Sequence, residues 1–345
     1  MSESRIIDKI WYTRGPGPTP LGLAAQLGWF LEEFRDGGVG VYTLQDAQHK
    51  ELRSAHYDHR LAHSFRQGGS GPAIWARASG RDTRIIGLNC VDEFQAIITL
   101  PERRITSLKQ LRGRRLALPK RDLSFDLGRA AALRGFLTAL DFAGLSEADV
   151  TFVDVWESSP NLVLEGAAQR GRFAGSGDVV QALLDGQVDV IFVRGAQGVQ
   201  VLFDLQARLL LDLRSHPDPL LRANNGNPRP ITVDADLLAR RPDIVVRFLS
   251  RIAAVGPWAS LHPVETIRYL AKETGTLERH VRIGYGASLH NQQYTDLDER
   301  SVAALESYKD FLFARGFIPR DFDVKAWIDT EPLGHINGTG RVSFA

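Results

Sequence analysis

Short apolar runs alternate with longer amphipathic stretches along the first two thirds of the chain. The runs are Ile6–Tyr12, Val39–Leu44, Thr83–Leu88, Phe94–Leu100, Arg115–Leu118, Val150–Val155, Val188–Val193 and Leu209–Leu213. Such short, nearly uniform apolar runs are typical of strands that are covered on both faces. Apolar residues recur at helical spacing in Leu21–Phe34, Leu127–Phe142 and Val179–Leu184. The alternation predicts an α/β protein with mixed or parallel sheets flanked by helices.

The last third of the chain has a different pattern, in which one amphipathic stretch follows another. These stretches are Arg241–Ser260, His262–Thr274, Leu277–Ile283 and Asp298–Arg315. They predict a set of C-terminal helices. The segment Pro217–Pro230 contains four prolines and three asparagines. It is predicted to be a surface loop or a crossing between two lobes.

Composition narrows the class of protein. The chain has 345 residues, of which 43% are apolar, so more than one hydrophobic core is expected. Lys and Arg number 42 and Asp and Glu 41, which gives a net charge of +1. This balance argues against nucleic-acid binding through a broad basic surface and against an acidic, disordered chain.

The N-terminal sequence and the hydropathy pattern indicate the cellular compartment of the protein. No apolar run approaches the roughly 20 residues that cross a bilayer. Asp8 and Lys9 interrupt the only apolar stretch near the N-terminus, so no secretory signal is recognisable. We therefore expect a cytoplasmic protein as the sequence stands. A start codon further upstream would change that expectation to a periplasmic protein.

Cys90 is the one cysteine, which excludes an intrachain disulfide and a multi-cysteine metal site. It follows a predicted strand and is interpreted as a small core residue, with a position lining a cleft as the alternative. His59 and His63 are spaced as a metal pair on a helix would be, but no H-E-x-x-H pattern accompanies them. We expect no metal and no cofactor.

Three local signatures occur in one order: Leu108–Pro119, Gly144–Val153 and Ala182–Ile191. With them the chain resembles the periplasmic binding proteins of type II, in the group that binds sulfonates, nitrate, taurine and thiamine precursors. The resemblance implies a monomer with two lobes and a ligand cleft between them. We expect residues 1–100 and 208–345 to form the lobe that carries the C-terminal helices, and residues 101–207 to form the other.

Within that group the chain is closest in motifs to the sulfinate desulfinases, which release sulfite from aromatic sulfinates. The motifs are the segment Tyr12–Pro18, then His56 and Arg66 ten residues apart, and Gly68 and Gly69 after the arginine. The desulfinases carry a nucleophilic cysteine just before the Pro-x-Pro of the first motif. This chain has Gly15 there, and a glycine cannot supply the thiolate that the chemistry needs.

The anion-binding part of the motif is retained. Arg66 can donate two parallel hydrogen bonds to a sulfinate, sulfonate or carboxylate. Gly68 and Gly69 let backbone N–H groups approach the anion closely. His56 can donate a hydrogen bond or move a proton. Read without the motif, however, His56 belongs to a charged segment that is typical of a solvated helix face.

Two further regions are candidates for the pocket. The turn of Thr13, Arg14 and Gly15 precedes the first helix, whose N-terminus favours negative charge. Glu157 and Arg194 follow predicted strands, and ligands of two-lobed α/β proteins bind beyond the carboxyl ends of strands. We therefore predict that these five residues bind the ligand.

The sequence leaves three functions open. The preferred hypothesis is a binding protein for a small organic anion, with an organosulfur acid as the expected ligand. If the protein is exported, its partner would be the membrane component of an ABC importer. The alternative is a desulfinase-like hydrolase of C–S bonds whose chemistry has moved to His56 and Arg66. A cytoplasmic sensor is a third interpretation, and nucleic acid is not an expected partner.

Overall fold

Ten strands form three sheets in a computed structural model that describes residues 7–158 and 177–338. The strands are Lys9–Arg14 (β1), Gly40–Thr43 (β2), Ser64–Gln67 (β3), Thr83–Asn89 (β4), Gln95–Thr99 (β5), Arg115–Lys120 (β6), Thr151–Trp156 (β7), Ile191–Arg194 (β8), Arg208–Asp212 (β9) and Arg229–Asp234 (β10). The sheets are mixed, as predicted, because parallel and antiparallel pairs both occur.

The first sheet has the order β2-β1-β3-β10-β4. Its strands β1, β2 and β3 are parallel, whereas β10 runs antiparallel to both of its neighbours. The second sheet has the order β8-β5-β9 and is antiparallel. A parallel pair, β6 and β7, forms the third sheet, and a bridge between Leu116 and Val190 joins it to the second.

The helices cover these sheets. They are Pro20–Gln26 (α1), Trp29–Glu33 (α2), Lys50–Asp58 (α3), Ser70–Ala78 (α4), Leu127–Phe142 (α5), Gly177–Leu184 (α6), Gly195–Asp204 (α7), Pro219–Arg222 (α8), Ala235–Arg240 (α9), Pro242–Ala253 (α10), Val255–Leu261 (α11), Pro263–Thr274 (α12), Glu278–Tyr285 (α13), Glu299–Ala314 (α14), Val324–Trp327 (α15) and Glu331–Ile336 (α16). The predicted C-terminal run of helices is present. The predicted helix Leu21–Phe34 is divided into two at Gly28, whose φ of +78° is left-handed.

The chain crosses between the sheets twice, from β4 into β5 and from β9 back into β10. The first sheet therefore belongs to one lobe and the other two sheets to the second. The second sheet extends past the limits expected at residues 101 and 207, since β5 and β9 are both part of it. The expected limits place β5 and β9 in the lobe with the C-terminal helices. The segment Pro217–Pro230 contains the second crossing, together with α8 and the start of β10.

The largest core lies in the first lobe, and the second lobe holds two smaller ones. Phe248 of α10 stacks on Phe30 and Phe65, with ring centroids 4.1 and 4.0 Å away. The stretch Pro242–Leu261, of mean hydropathy 1.3, is long and apolar enough to span a bilayer, which the sequence analysis did not recognise. Its apolar residues contribute to this core, which accounts for its composition.

Candidate ligand-binding site

A cavity of about 450 Å³ lies between the two lobes. The first lobe contributes the turn after β1, the ends of α3 and β3, and the start of α4. The second lobe contributes the start of α5, the end of β8 and the start of α7. The lining also includes the second crossing. Aromatic rings of Tyr57, Trp75, Phe125, Phe192 and Tyr285 line the cavity beside charged side chains.

The parallel pairing of β1 with β3 brings two of the sequence motifs together. Thr13 lies opposite Arg66 in the register of these strands. Beyond the strands, the N–H of Gly15 donates to the carbonyl of Gln67 over 2.9 Å. The motif around Gly15 and the motif after Arg66 therefore meet at the carboxyl edge of one sheet. This is where parallel α/β sheets place their ligands.

Arg66 is a buried cation, with 2% of its surface exposed. Its Nε donates to the carbonyl of His56 over 2.8 Å and its Nη2 to the carbonyl of Gly69 over 2.9 Å. Among the described residues, Nη1 has no hydrogen-bond partner and no carboxylate lies within ion-pair distance of the guanidinium. Burial lowers the pKa of Arg66 to about 10, so the side chain stays charged at neutral pH.

His56 is 3% exposed, which excludes the solvated-face interpretation. Its Nδ1 lies 2.9 Å from the hydroxyl of Thr13, and that hydroxyl also accepts a hydrogen bond from Gln45. Burial, together with the charge of Arg66, holds the pKa of His56 well below its ordinary value. The imidazole is therefore neutral at pH 7. Because the Thr13 hydroxyl is free to donate its own hydrogen to Nδ1, we assign the ring hydrogen to Nε2.

Gly15, Gly68 and Gly69 pack closely at the same end of the cavity. A Cβ on Gly15 would lie 3.3 Å from the Cα of Gly68 and 3.8 Å from the N of Gly69. A Cβ on Gly69 would overlap the side-chain amide of Asn225, which accepts from the N–H of Gly71. Gly69 is thus needed for the packing of Asn225 as well as for access to the cavity.

Glu157 and Arg194 line the cavity from the second lobe. Glu157 accepts a hydrogen bond of 2.9 Å from Nε of Arg121. Burial nevertheless raises the pKa of Glu157 to about 7, because the desolvation of the carboxylate outweighs the attraction of Arg121. Arg194 Nη1 lies 3.5 Å from a carboxylate oxygen of Glu93.

The cavity brings together seven of the nine residues predicted to bind ligand. They are Gly15, His56, Arg66, Gly68, Gly69, Glu157 and Arg194. Thr13 and Arg14 lie outside the lining, and the side chains of both have other partners. Thr13 supports His56, and Arg14 forms an ion pair of 2.8 Å with Glu273.

The interpretation of Cys90 as a core residue was wrong. It is exposed, its Sγ lies 3.0 Å from the hydroxyl of Ser301, and it is absent from the cavity lining. It directly follows Asn89, the last residue of β4, and the buried part of the strand ends there. Ser159 and Pro160, which come shortly after Glu157 in the chain, lie outside the described residues.

His63 does not pair with His59 as a metal site would require. Its neighbours are Asp234 and Asp236, and one ligand-type atom of each of the three lies within 4.8 Å of the others. The backbone N–H of His63 donates to Asp234 over 2.7 Å, and the imidazole lies 3.4 Å from Asp236. These contacts between β10, α9 and the loop before β3 account for the grouping.

Sequence reasoning missed Glu93, Asn225 and Arg229, all of which line the cavity. Glu93 lies in the first crossing, and Asn225 and Arg229 lie in the second or at its end. The only sequence signal was the run of prolines and asparagines in Pro217–Pro230, which marks an irregular segment without indicating which side chains face the ligand.

No protein-family model matches this chain, and no curated protein matches it. Solved structures do. A cysteine-to-serine variant of DszB in complex with biphenyl-2-sulfinic acid has a TM-score of 0.79 and 23% identity, over 96% of this chain and 99% of that one. The periplasmic sulfonate-binding protein SsuA from Methylobacillus flagellatus KT has a TM-score of 0.70 and 16% identity, over 96% and 95%. The aliphatic sulphonate binding protein SsuA from Escherichia coli has 0.63 and 15%, over 94% and 92%.

The architecture is therefore that of the two-lobed periplasmic binding proteins, as predicted from the sequence. The resemblance to the sulfonate-binding group, with similarity to a desulfinase in particular, is confirmed at the level of the fold. DszB is described as a desulfurization enzyme.

Proposed function

We propose that this protein binds a small organic anion, a sulfonate or sulfinate, with its charged group against Arg66 in the cavity between the lobes. One observation carries the proposal. Arg66 is a buried guanidinium in the lining of the cavity, and among the residues described its Nη1 has no hydrogen-bond partner and the side chain has no carboxylate partner. An uncompensated buried charge destabilises a protein by several kcal/mol, and a bound anion would remove that penalty.

The groups around Arg66 suit an anion with several oxygens. The neutral His56 offers an Nε2–H donor, and Gly15, Gly68 and Gly69 have no side chains that would separate the anion from Arg66. A sulfonate or sulfinate presents two or three oxygens, which can accept from a guanidinium and an imidazole at the same time. The aromatic residues of the lining suit the organic part of such a ligand.

A desulfinase-like hydrolase is the second candidate, and the Thr13–His56 contact favours it. This candidate requires the opposite tautomer, in which Nδ1 donates its hydrogen to the Thr13 hydroxyl and Nε2 is free to take a proton from water. Water oxygen would bond to sulfur as the C–S bond breaks, and the ring carbon would take a proton, which gives the arene and hydrogen sulfite. Gly15 counts against this candidate, because a direct attack by water lacks the covalent intermediate that a thiolate supplies.

Calorimetric titration with sulfonates, sulfinates and carboxylates tests the first candidate. Wild-type protein should bind at least one sulfonate or sulfinate, and ligand at one hundred times its Kd should stabilise the fold by about 2.7 kcal/mol. Arg66→Lys keeps the charge but removes the fixed fork, so it should weaken binding by about tenfold or more. Arg247→Gln is the matched control, since Arg247 pairs with Glu33 away from the cavity. Unchanged affinity in Arg66→Lys would refute the site.

Release of sulfite from 2-(2′-hydroxyphenyl)benzenesulfinate separates the two candidates. A binding protein yields no sulfite above a blank without protein. Sustained turnover that is abolished in His56→Ala would establish the hydrolase instead. Turnover that persists in His56→Ala would remove the role assigned to that imidazole.

The proposal extends to a partner and an oligomeric state. If the protein is exported, the membrane component of an ABC importer would receive the anion from the open cleft, and a monomer suffices for that delivery. SsuA from Methylobacillus flagellatus KT is described as belonging to a sulfonate ABC transporter, which supports the proposal by analogy of fold. Fractionation of cells that express the native gene, followed by immunodetection, tests the location.

A further inference from the structure

A second group of buried charges lies in the same cavity, where the chain crosses between the lobes. Glu93 and Arg229 are each 3% exposed, and Arg194 reaches them from the end of β8. All three line the cavity that Arg66 lines. The two crossings and the end of β8 therefore bring a carboxylate and two guanidinium groups to one place beside the proposed ligand.

The pairing within this group is incomplete. Glu93 lies 3.6 Å from Arg229 and 3.5 Å from Arg194, whereas strong charge-assisted hydrogen bonds are about 2.7–2.9 Å long. Oε2 of Glu93 and Nη1 of Arg229 are buried and have no hydrogen-bond partner among the described residues. One acceptor and one donor are thus left unsatisfied side by side, which a folded protein rarely tolerates without a role for them.

The backbone is shaped to hold the carboxylate in this position. A Cβ on Gly226 would overlap Oε2 of Glu93. A Cβ on Gly195, where φ is +63°, would lie 2.9 Å from Oε1 of Glu93 and 2.6 Å from the hydroxyl of Tyr285. A glycine of the second crossing and the first residue of α7 therefore make the space that Glu93 occupies.

The two charged groups flank one turn. A Cβ on Gly15 would lie 3.3 Å from Gly68 on the Arg66 side, and a Cβ on Gly17 would lie 3.6 Å from Nε of Arg229. The N–H of Gly17 donates to the carbonyl of Gly15 over 2.9 Å, so the turn is tight. Residues two apart are separated by at most about 7 Å, so Arg66 and the Glu93–Arg229 group lie on the two sides of one short turn in the same cavity.

We infer that Glu93 and Arg229 form a second subsite, which recognises a neutral group that both donates and accepts a hydrogen bond, such as a hydroxyl or a carboxamide. Such a group donates to Oε2 of Glu93 and accepts from Nη1 of Arg229, and so satisfies both atoms. An ammonium group would leave Arg229 unpaired and face its charge. A second anion would leave Glu93 unpaired and be repelled by it. This inference rests on the proposed function, because Arg66 must hold the anionic end.

Calorimetry on the full chain tests the subsite with matched ligands. The probes are ω-hydroxyalkane-1-sulfonates of three to five carbons, each compared with the n-alkane-1-sulfonate that has the same number of heavy atoms. At the best length the hydroxyl compound should bind about tenfold tighter or more, the effect of a hydrogen bond to a charged group. That length also measures the separation of Arg66 from Glu93.

Three variants assign the effect to residues. Glu93→Gln replaces the charged acceptor with a neutral amide, and Gly226→Ala displaces the carboxylate without removing it. In both, the affinity ratio of the hydroxyl to the alkyl compound should fall below about threefold. In Arg66→Lys both affinities should fall while the ratio stays near its wild-type value. Thermal melts confirm that each variant is folded. If Glu93→Gln does not fold, Gly226→Ala tests the subsite in its place.

The outcomes are distinguishable. Equal affinity of the paired ligands at every length would overturn the subsite and leave the anion site in place. Tighter binding of ω-amino sulfonates or of α,ω-disulfonates than of hydroxyl sulfonates would overturn the assignment to a neutral group. If wild-type protein bound none of the sulfonates, the proposed function would fail, and this inference with it.

Discussion

Gly15→Cys offers a direct probe of the cavity, because it places a thiol where Arg66 and His56 lie. The new Cβ would contact Gly68 Cα at 3.3 Å and Gly69 N at 3.8 Å, so the backbone must shift by a few tenths of an ångström. Gly15 is absent from the residues with positive φ, and a side chain is therefore compatible with its conformation. The substitution should be tolerated.

The magnitude follows from the tight contact. Overpacking of this kind destabilises a protein by about 1–3 kcal/mol. With an unfolding entropy of about 2.1 cal/mol/K per residue, a chain of 345 residues should lose about 1–4 °C in Tm. Differential scanning calorimetry of the variant beside wild type measures this difference. A loss of more than about 10 °C would show that the turn cannot hold a side chain.

The reactivity of the introduced thiol is the second part of this prediction. The positive charge of Arg66 favours the thiolate and should lower the pKa of the introduced thiol. Cys90 is the internal reference. Although that residue is exposed, desolvation of its sulfur, which contacts Ser301, raises the pKa of Cys90 to about 11. Iodoacetamide at pH 7 should therefore modify the introduced thiol first, as peptide mapping would show.

Ligand protection completes the test. A sulfonate bound at Arg66 covers position 15, so it should slow alkylation there and leave alkylation at Cys90 unchanged. Alkylation of both thiols at the same slow rate would refute the electrostatic argument. Equal rates at position 15 with and without a sulfonate that binds would refute the placement of the anion.

Three further predictions concern stability, measured by urea unfolding. Glu157 has a pKa of about 7 in the fold against 4.5 for the ordinary carboxyl, so wild type should lose stability as pH rises from about 4.5 to 7. Glu157→Gln should lack this loss, and a pH-independent difference between the two proteins would refute the shift. Gly69→Ala should destabilise by about 1–3 kcal/mol through its clash with Asn225, and Asn225→Ala should restore part of the loss if that clash is the cause. Phe248→Ala should destabilise by about 3–5 kcal/mol, and a loss below 1 kcal/mol would contradict its central place in the core.

The elements that could be predicted are those whose burial leaves a continuous apolar run. The strands β4, β5 and β8 and the C-terminal helices belong to this class. Two strands of the first sheet, β3 and β10, were not recognised, since three of the four residues of Ser64–Gln67 are polar and Arg229–Asp234 begins with arginine and proline. Both are buried, and their polar side chains find partners or face the cavity only after the lobes have formed. Periodicity carries no signal for such strands.

The residues of the site also fall into those that the sequence could predict and those that it could not. Gly15, His56 and Arg66 are recognisable because a motif fixes their order and spacing. Arg229 and Glu93 are not, since they are brought together by the two crossings, which lie about 130 residues apart in the chain. Arg14 was assigned to the pocket from its position in the turn. Its ion pair with Glu273, a residue of α12, could be known only from the packing of α1 against the C-terminal helices.

The two hydrogen bonds that Arg66 makes to backbone carbonyls have a consequence for affinity. An arginine side chain that becomes ordered on binding loses about 2 kcal/mol of rotamer entropy. Here the carbonyls of His56 and Gly69 hold Nε and Nη2 in place before any ligand arrives. That loss is therefore incurred during folding, and the anion meets a rigid fork. Substitutions around the organic part of the ligand can then change specificity, while Arg66 binds the charged group in the same way.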